Sequence, residues 1–294
     1  MTSTITRRSV LAGGFASAVA LTLAACGGSS SDTSTDGSGT TAAVDGIKVD
    51  GDTATITIGA TPQPHVTILQ WVQDNLAADA GLNLDIVEID DYQTPNTSLD
   101  DGSLAANFYQ TPNFLEQQIE EKGYDFVAIA DVHIEPMGIY TDKGYSSVDE
   151  AAEGGTILLN NDPANTARGL QLLETAGLIT LAPDVEIPTT LDVTDNPKNF
   201  DLVTVDGAQV AASMADAELA VINGNYALDA NLKPSEDALV LEQGEGSPYA
   251  NQLVVRTADK DNEYLVELAE LLNSDELRTY IEETWTDESV IPAF

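Results

Sequence analysis

Thr156-Ile157-Leu158-Leu159, followed by Asn161-Asp162-Pro163-Ala164-Asn165-Thr166-Ala167-Arg168-Gly169-Leu170, is the stretch on which the fold turns. The apolar run reads as a short buried strand. Leu170, Leu172, Leu173 and Ala176 then recur at helical spacing and stop at Gly177. The segment is therefore strand, polar turn and helix N-terminus. A helix N-terminus presents unpaired backbone N–H groups and a partial positive charge, so it favours anions. Arg168 adds a planar fork that fits a carboxylate, with Asn165 one helical turn before it. On its own, Arg168 reads equally well as an ordinary ion-pair arginine.

Working outward, the same alternation appears on both sides. Thr53–Ile58, Leu84–Ile89 and Asp125–Ala130 read as strands, with helices expected at Val66–Ala80 and Leu115–Glu121 between them. Downstream, Leu219–Ile222 and Leu253–Arg256 read as strands, and Leu265, Leu268, Leu271 and Leu272 mark a helix. This βαβ rhythm predicts parallel sheets with flanking helices. It occurs in two blocks without an internal repeat, which predicts an α/β chain of two lobes with a cleft between them. Ligands of such sheets sit beyond the carboxyl ends of the strands.

The chain opens with a basic Arg7-Arg8 pair and an apolar run from Val10 to Ala25, closed by Leu23-Ala24-Ala25-Cys26. That is the pattern of a secretory leader over 1–25, and its core is too short and too rich in small residues for a membrane span. Cys26 is the only cysteine, so no intramolecular disulfide can form. The Leu-Ala-Ala-Cys box marks Cys26 for lipidation as the mature N-terminus, and residues 26–46 read as a Gly/Ser/Thr/Asp-rich tether. The location this predicts is the outer face of the cytoplasmic membrane. General secretory and twin-arginine export both remain open.

The formal charge is −38, from 49 acidic and 11 basic residues, while 43% of residues are hydrophobic. A real core is possible, but nucleic acid and anionic lipid surfaces are poor partners because phosphate contacts need Lys and Arg. So acidic a surface suggests adaptation to salt. After the leader only Arg168, Arg256 and Arg278 remain as arginines.

The polar turns expected after the strands are Gly59–His65, Asp91–Asn96, Asn107–Gln110, Asn161–Arg168, Val221–Asn223 and Ser247–Asn251. They are rich in asparagine and aromatics and lack a base–nucleophile pair. No G-x-S-x-G elbow, H-E-x-x-H or P-loop occurs. Such residues bind rather than react, so neither catalysis, a cofactor nor a metal is expected. Asn161 and Asp162 read as helix caps. His65 reads as shaping its loop, and His133 as structural.

GATPQPH, DYQTPN, NDPANTARGL, LDVTDNPKNF, LAVINGNYA and SPYANQLVV, together with the lipobox, resemble the methionine-binding (NlpA-type) lipoproteins, the substrate-binding subunits of ABC importers. The resemblance runs from about Gly59 to Arg256. It implies a periplasmic-binding-protein-like (type II) fold, with lobe I at 47–133 plus 250–294 and lobe II at 134–249. It implies that Arg168 grips a ligand carboxylate and that Asn165, Asn223 and Asn251 bond its carboxylate and ammonium groups. Tyr92, Phe108 and Tyr109 would line the side-chain pocket. The family's Gln-His-x-Pro-Tyr pattern reads Gln110-Thr111-Pro112-Asn113-Phe114 here, placing Thr111 and Phe114 at the selectivity positions. The implied ligand is L-methionine or a close analogue, and the implied partners are an ABC permease and its ATPase. The alternatives are another amino acid, a methionine-containing dipeptide, or a cell-surface enzyme on the same bilobed fold.

Overall fold

The computed structural model describes residues 44–294; the leader, Cys26 and most of the tether lie outside the described residues. The chain begins with β1 (Ile47–Asp50), β2 (Thr53–Ala60), α1 (Thr67–Asn75), β3 (Leu82–Glu88), α2 (Thr94–Asp100), β4 (Ala106–Gln110), α3 (Pro112–Lys122) and β5 (Phe126–Ile134). A middle group follows: β6 (Gly138–Tyr140), β7 (Thr156–Asn160), α4 (Pro163–Thr175), β8 (Thr180–Leu181), β9 (Val193–Asp195), β10 (Asp201–Val205), α5 (Gly207–Ala212), β11 (Leu219–Ile222), α6 (Gly224–Asp229), α7 (Pro234–Asp237) and β12 (Val240–Leu241). The chain closes with β13 (Ala250–Arg256), α8 (Glu263–Leu272), α9 (Asp275–Thr284) and β14 (Ile291–Pro292).

These strands form two main sheets. The first runs β1-β2-β4-β13-β5-β14, with β3 also paired to β2; the second runs β10-β7-β11-β6-β12. The fold is α/β in two lobes, each built on one of these sheets. The expectation of parallel sheets holds for β2 with β3 and β4, and for β7 with β10 and β11. It fails at β1, β5, β6, β12, β13 and β14, which pair antiparallel, so both sheets are mixed.

The chain leaves the first sheet after β5 and crosses to the second through Glu135–Met137. It returns from β12 through Glu242–Tyr249 to insert β13 between β4 and β5. β13 is a seven-residue strand with six buried positions, as an inserted interior strand must be.

Each sheet carries its own core. Ile56, Ile58, Leu69, Val72, Leu253, Leu265 and Leu268 are buried together around the first. Ile157, Leu159, Leu170, Leu173 and Val221 pack on one face of the second, with Tyr140, Ala220, Ile222 and Tyr226 on the other. Among the described residues no helix is long and apolar enough to cross a membrane.

Several boundaries differ from the sequence reading. The first helix ends at Asn75, five residues before Ala80, because the chain turns there to bring Leu82 beside Ala54. Asn107–Gln110, read as a turn, lies within β4, and every residue of that strand is buried. Asn107 and Gln110 are tolerated there because Asn96 satisfies both: Asn107 Nδ2 and Gln110 Nε2 donate to Asn96 Oδ1 at 2.8 and 2.9 Å.

Candidate functional site

The cleft between the two sheets is built from strand ends and helix starts. On the first-sheet side, β4 separates two neighbours by its period of two. Phe108 turns into the core, with its ring centroid 4.8 Å from that of His65 and 5.3 Å from that of His133. Tyr109 turns to the cleft, and its hydroxyl donates to the Tyr92 carbonyl at 3.1 Å. Tyr92, Tyr109 and Phe114 form an aromatic corner with centroids 5.7–5.9 Å apart, and Tyr226 stacks on Tyr92 at 4.9 Å.

On the second-sheet side, β7 delivers the chain to α4. Asp162 caps that helix: Oδ1 accepts from the backbone N–H of Asn165 at 2.8 Å and Oδ2 from Asn165 Nδ2 at 2.9 Å. Asn223, after β11, donates through Nδ2 to Asn165 Oδ1 at 2.7 Å and accepts from Asn160 Nδ2 at 3.3 Å. The amides thus hold one another in fixed orientations while each keeps spare hydrogen-bonding capacity. Asn251 is fixed from the other lobe, where His65 Nε2 donates to its Oδ1 at 3.0 Å and Thr61 Oγ1 meets His65 Nδ1 at 2.8 Å. Its NH2 end is left to serve as a donor.

These groups surround one cavity of about 20 Å³, about the room of a single water and far below the roughly 300–1,000 Å³ usual for small-molecule sites, so admitting an amino acid requires the two sides of the cleft to move apart. Tyr92, Tyr109, Thr111 and Phe114 line one part of it; Asn165, Arg168, Asn223 and Asn251 line another. Gln110, Glu135, Gly224 and Asn225 complete the lining. Gly224 is demanded by close approach, because a Cβ there would lie 2.6 Å from Cβ of Glu135.

Burial sets the charge states. It lowers His65 to about 4, assisted by His133 and opposed by Glu135, and it lowers His133 to about 3. Both imidazoles are therefore neutral at pH 7. Burial raises the Glu135 carboxyl, against the attraction of His65 and Arg168. Burial also works against the Arg168 charge, but Glu242 outweighs it and raises the guanidinium further. His65, His133 and Glu135 are the one group among the described residues with three ligating atoms close enough for a metal, all within 4.8 Å. His133 Nε2 lies 2.6 Å from Glu135 Oε1, a hydrogen-bond distance.

This arrangement offers one guanidinium, a buried carboxylate, fixed amides and an aromatic corner. It has the donors and acceptors to hold a small zwitterion with an apolar tail. A family model described as NlpA lipoprotein matches residues 56–294. The chain belongs to the NlpA lipoprotein family. Members of this family are substrate-binding proteins, not enzymes. The protein is 36% identical over 242 residues to the methionine-binding lipoprotein MetQ of Bacillus subtilis, covering 81% of this chain and 87% of that one. A lipoprotein structure from Actinomyces odontolyticus is 48% identical, with a TM-score of 0.78 over 82% of this chain and 99% of its own. A nutrient-binding protein from Burkholderia cenocepacia, solved bound to methionine, is 36% identical, with a TM-score of 0.78 over 81% of this chain and 100% of its own.

Eight of the nine side chains that the NlpA resemblance singled out line the one cavity; Phe108 does not, and it supports the floor from behind instead. Sequence reasoning missed Glu135, Asn225 and Glu242. Glu135 carried one signal, a carboxylate between the apolar run of β5 and Pro136. Asn225 lies two residues after Asn223 in the same motif. Glu242 is one acid among 49 Asp and Glu and carries no local signal.

Proposed function

We propose that this NlpA-family lipoprotein captures L-methionine, or a close analogue, in the interlobe cleft and delivers it to an ABC permease and its ATPase. Arg168 takes the ligand carboxylate, helped by amide N–H groups of Asn165, Asn223 and Asn251. Glu135, the carboxylate on the cavity floor, takes the ammonium. Tyr92, Tyr109, Thr111 and Phe114 surround the side chain, where thioether–aromatic contact is favourable. The observation that carries this reading is the single cavity in which a buried guanidinium and the aromatic corner meet. The protein is held through lipid on Cys26 at the outer face of the cytoplasmic membrane, and hinge closure of the lobes accompanies capture.

Arg168→Ala tests the assignment. Removing the guanidinium leaves the bound carboxylate without its charged partner, so affinity for L-methionine should fall by several kcal/mol. Unchanged affinity would remove Arg168 from the site.

A second reading, a methionine-containing dipeptide, is supported by a second cavity of about 260 Å³ that shares Arg168 and opens outward between α3 and α4 beside Glu116 and Tyr249. Competition of methionine-containing dipeptides against L-methionine discriminates the two.

A further inference from the structure

Arg168 is tied to both segments through which the chain passes between the sheets. Its Nη2 donates to the backbone carbonyl of Glu135, in the first crossover, at 3.0 Å. The same nitrogen donates to Glu242 Oε2, in the second crossover, at 2.5 Å. Nε donates to Glu242 Oε1 at 2.9 Å and Oε2 at 3.2 Å. Glu242 is itself anchored, because its Oε2 accepts from the backbone N–H of Met137 at 2.8 Å. Tyr249 completes the clasp, with its ring centroid 4.1 Å from Cζ of the guanidinium.

A guanidinium has five N–H donors in a rigid plane. The Nε hydrogen and both Nη2 hydrogens are committed to Glu242 and Glu135, which leaves the two on Nη1 without a hydrogen-bond partner among the described residues. Arg168 lines the ligand cavity and Glu242 does not. The carboxylate therefore acts on that cavity only through the arginine.

We infer that Glu242 is a positioning residue for the anion site: it takes the Nε/Nη2 edge of Arg168, fixes the guanidinium plane across both crossovers, and reserves the Nη1 edge for a ligand carboxylate. This rests on the proposed function. It also specifies the ligand class more closely. The charge of Arg168 is already matched by Glu242, so the ligand's own carboxylate needs a compensating ammonium, which Glu135 can receive. A zwitterion fits this arrangement and a simple carboxylic acid does not.

A counter-ion that merely tolerates burial would make the same pair but would not distinguish ligands with and without a carboxylate. The test compares wild type, Glu242→Gln and Glu242→Ala in the purified full chain, titrated with L-methionine and with L-methioninol, which lacks the carboxylate. Glu242→Gln keeps an acceptor for Met137 N–H and guards against loss of folding in the alanine variant. The expected result is L-methionine binding weakened about tenfold, the scale of one charge-assisted hydrogen bond, with L-methioninol changed much less. A second readout needs no ligand: hydrogen exchange at Arg168 Nε–H, followed by nitrogen-15 NMR, should be slow in wild type and accelerate in Glu242→Gln. Rapid exchange in wild type, equal weakening of both ligands, or tighter methionine binding in Glu242→Gln would overturn the inference. A protected Nε–H in a wild-type protein that binds no methionine would overturn the proposed ligand and leave the clasp supported.

Discussion

His133 Nε2 lies 2.6 Å from Glu135 Oε1, and both residues are buried at the base of the cleft. The unfolded chain protonates its histidines near 6.5, whereas His65 and His133 take up protons only at about 4 and about 3 in the fold. Between those values the unfolded state binds more protons, so these two groups make stability rise with pH and fall on acidification below about 6.5. Glu135, raised by burial, acts in the opposite sense, because the folded state protonates it first. His133→Gln isolates one histidine. From pH 7 to pH 5 the wild type should lose about 2 kcal/mol more stability than the variant, at about 1.4 kcal/mol per pH unit below 6.5. Parallel denaturation curves for the two proteins at both pH values would contradict this.

Gly224 faces the first crossover. A Cβ at this position would meet Glu135 Cβ at 2.6 Å and the Pro136 carbonyl oxygen at 3.3 Å, and neither atom is the free end of a side chain. Gly224→Ala should therefore destabilise the protein by about 1–3 kcal/mol and weaken ligand binding by displacing Glu135. Denaturant unfolding and a methionine titration check both. Wild-type values would show that the crossover yields without cost.

Asn225 accepts from the Tyr92 hydroxyl at 2.6 Å, yet its buried Nδ2 has no partner among the described residues. It lines the cavity beside the aromatic corner, where a thioether sulfur offers a weak acceptor and a favourable aromatic contact. L-norleucine, with a methylene in place of sulfur, should bind more weakly than L-methionine by about 0.3–1.5 kcal/mol. Competition between the two ligands measures the difference, and equal affinities would exclude a role for sulfur.

A formal charge of −38 makes the folded chain repel itself. Screening by salt relieves that repulsion. The unfolding midpoint should rise from low to molar sodium chloride, and a flat profile would rule out salt adaptation.

The strands most legible in the sequence were those with clear boundaries. Leu219–Ile222 was read at its observed limits, and Thr156–Leu159 lacks only Asn160. β4 was misread because a fully buried strand shows no alternation, and its asparagine and glutamine mimic a turn. β6 has three residues and β12 has two, too few for any period to show. The site was legible where residue types are scarce: Arg168 stands out among few arginines. Phe108 and Tyr109 could not be separated before the pleat of β4 was known. Glu242 stayed hidden because its meaning depends on Arg168, which lies on another element 74 residues away.

Titration calorimetry of the full chain with L-methionine, after unfolding and refolding to strip carried-over ligand, bears most directly on the function. One-to-one binding with submicromolar affinity is the predicted result. Absence of binding heat, with L-methionine also failing to raise the unfolding temperature, would contradict methionine capture.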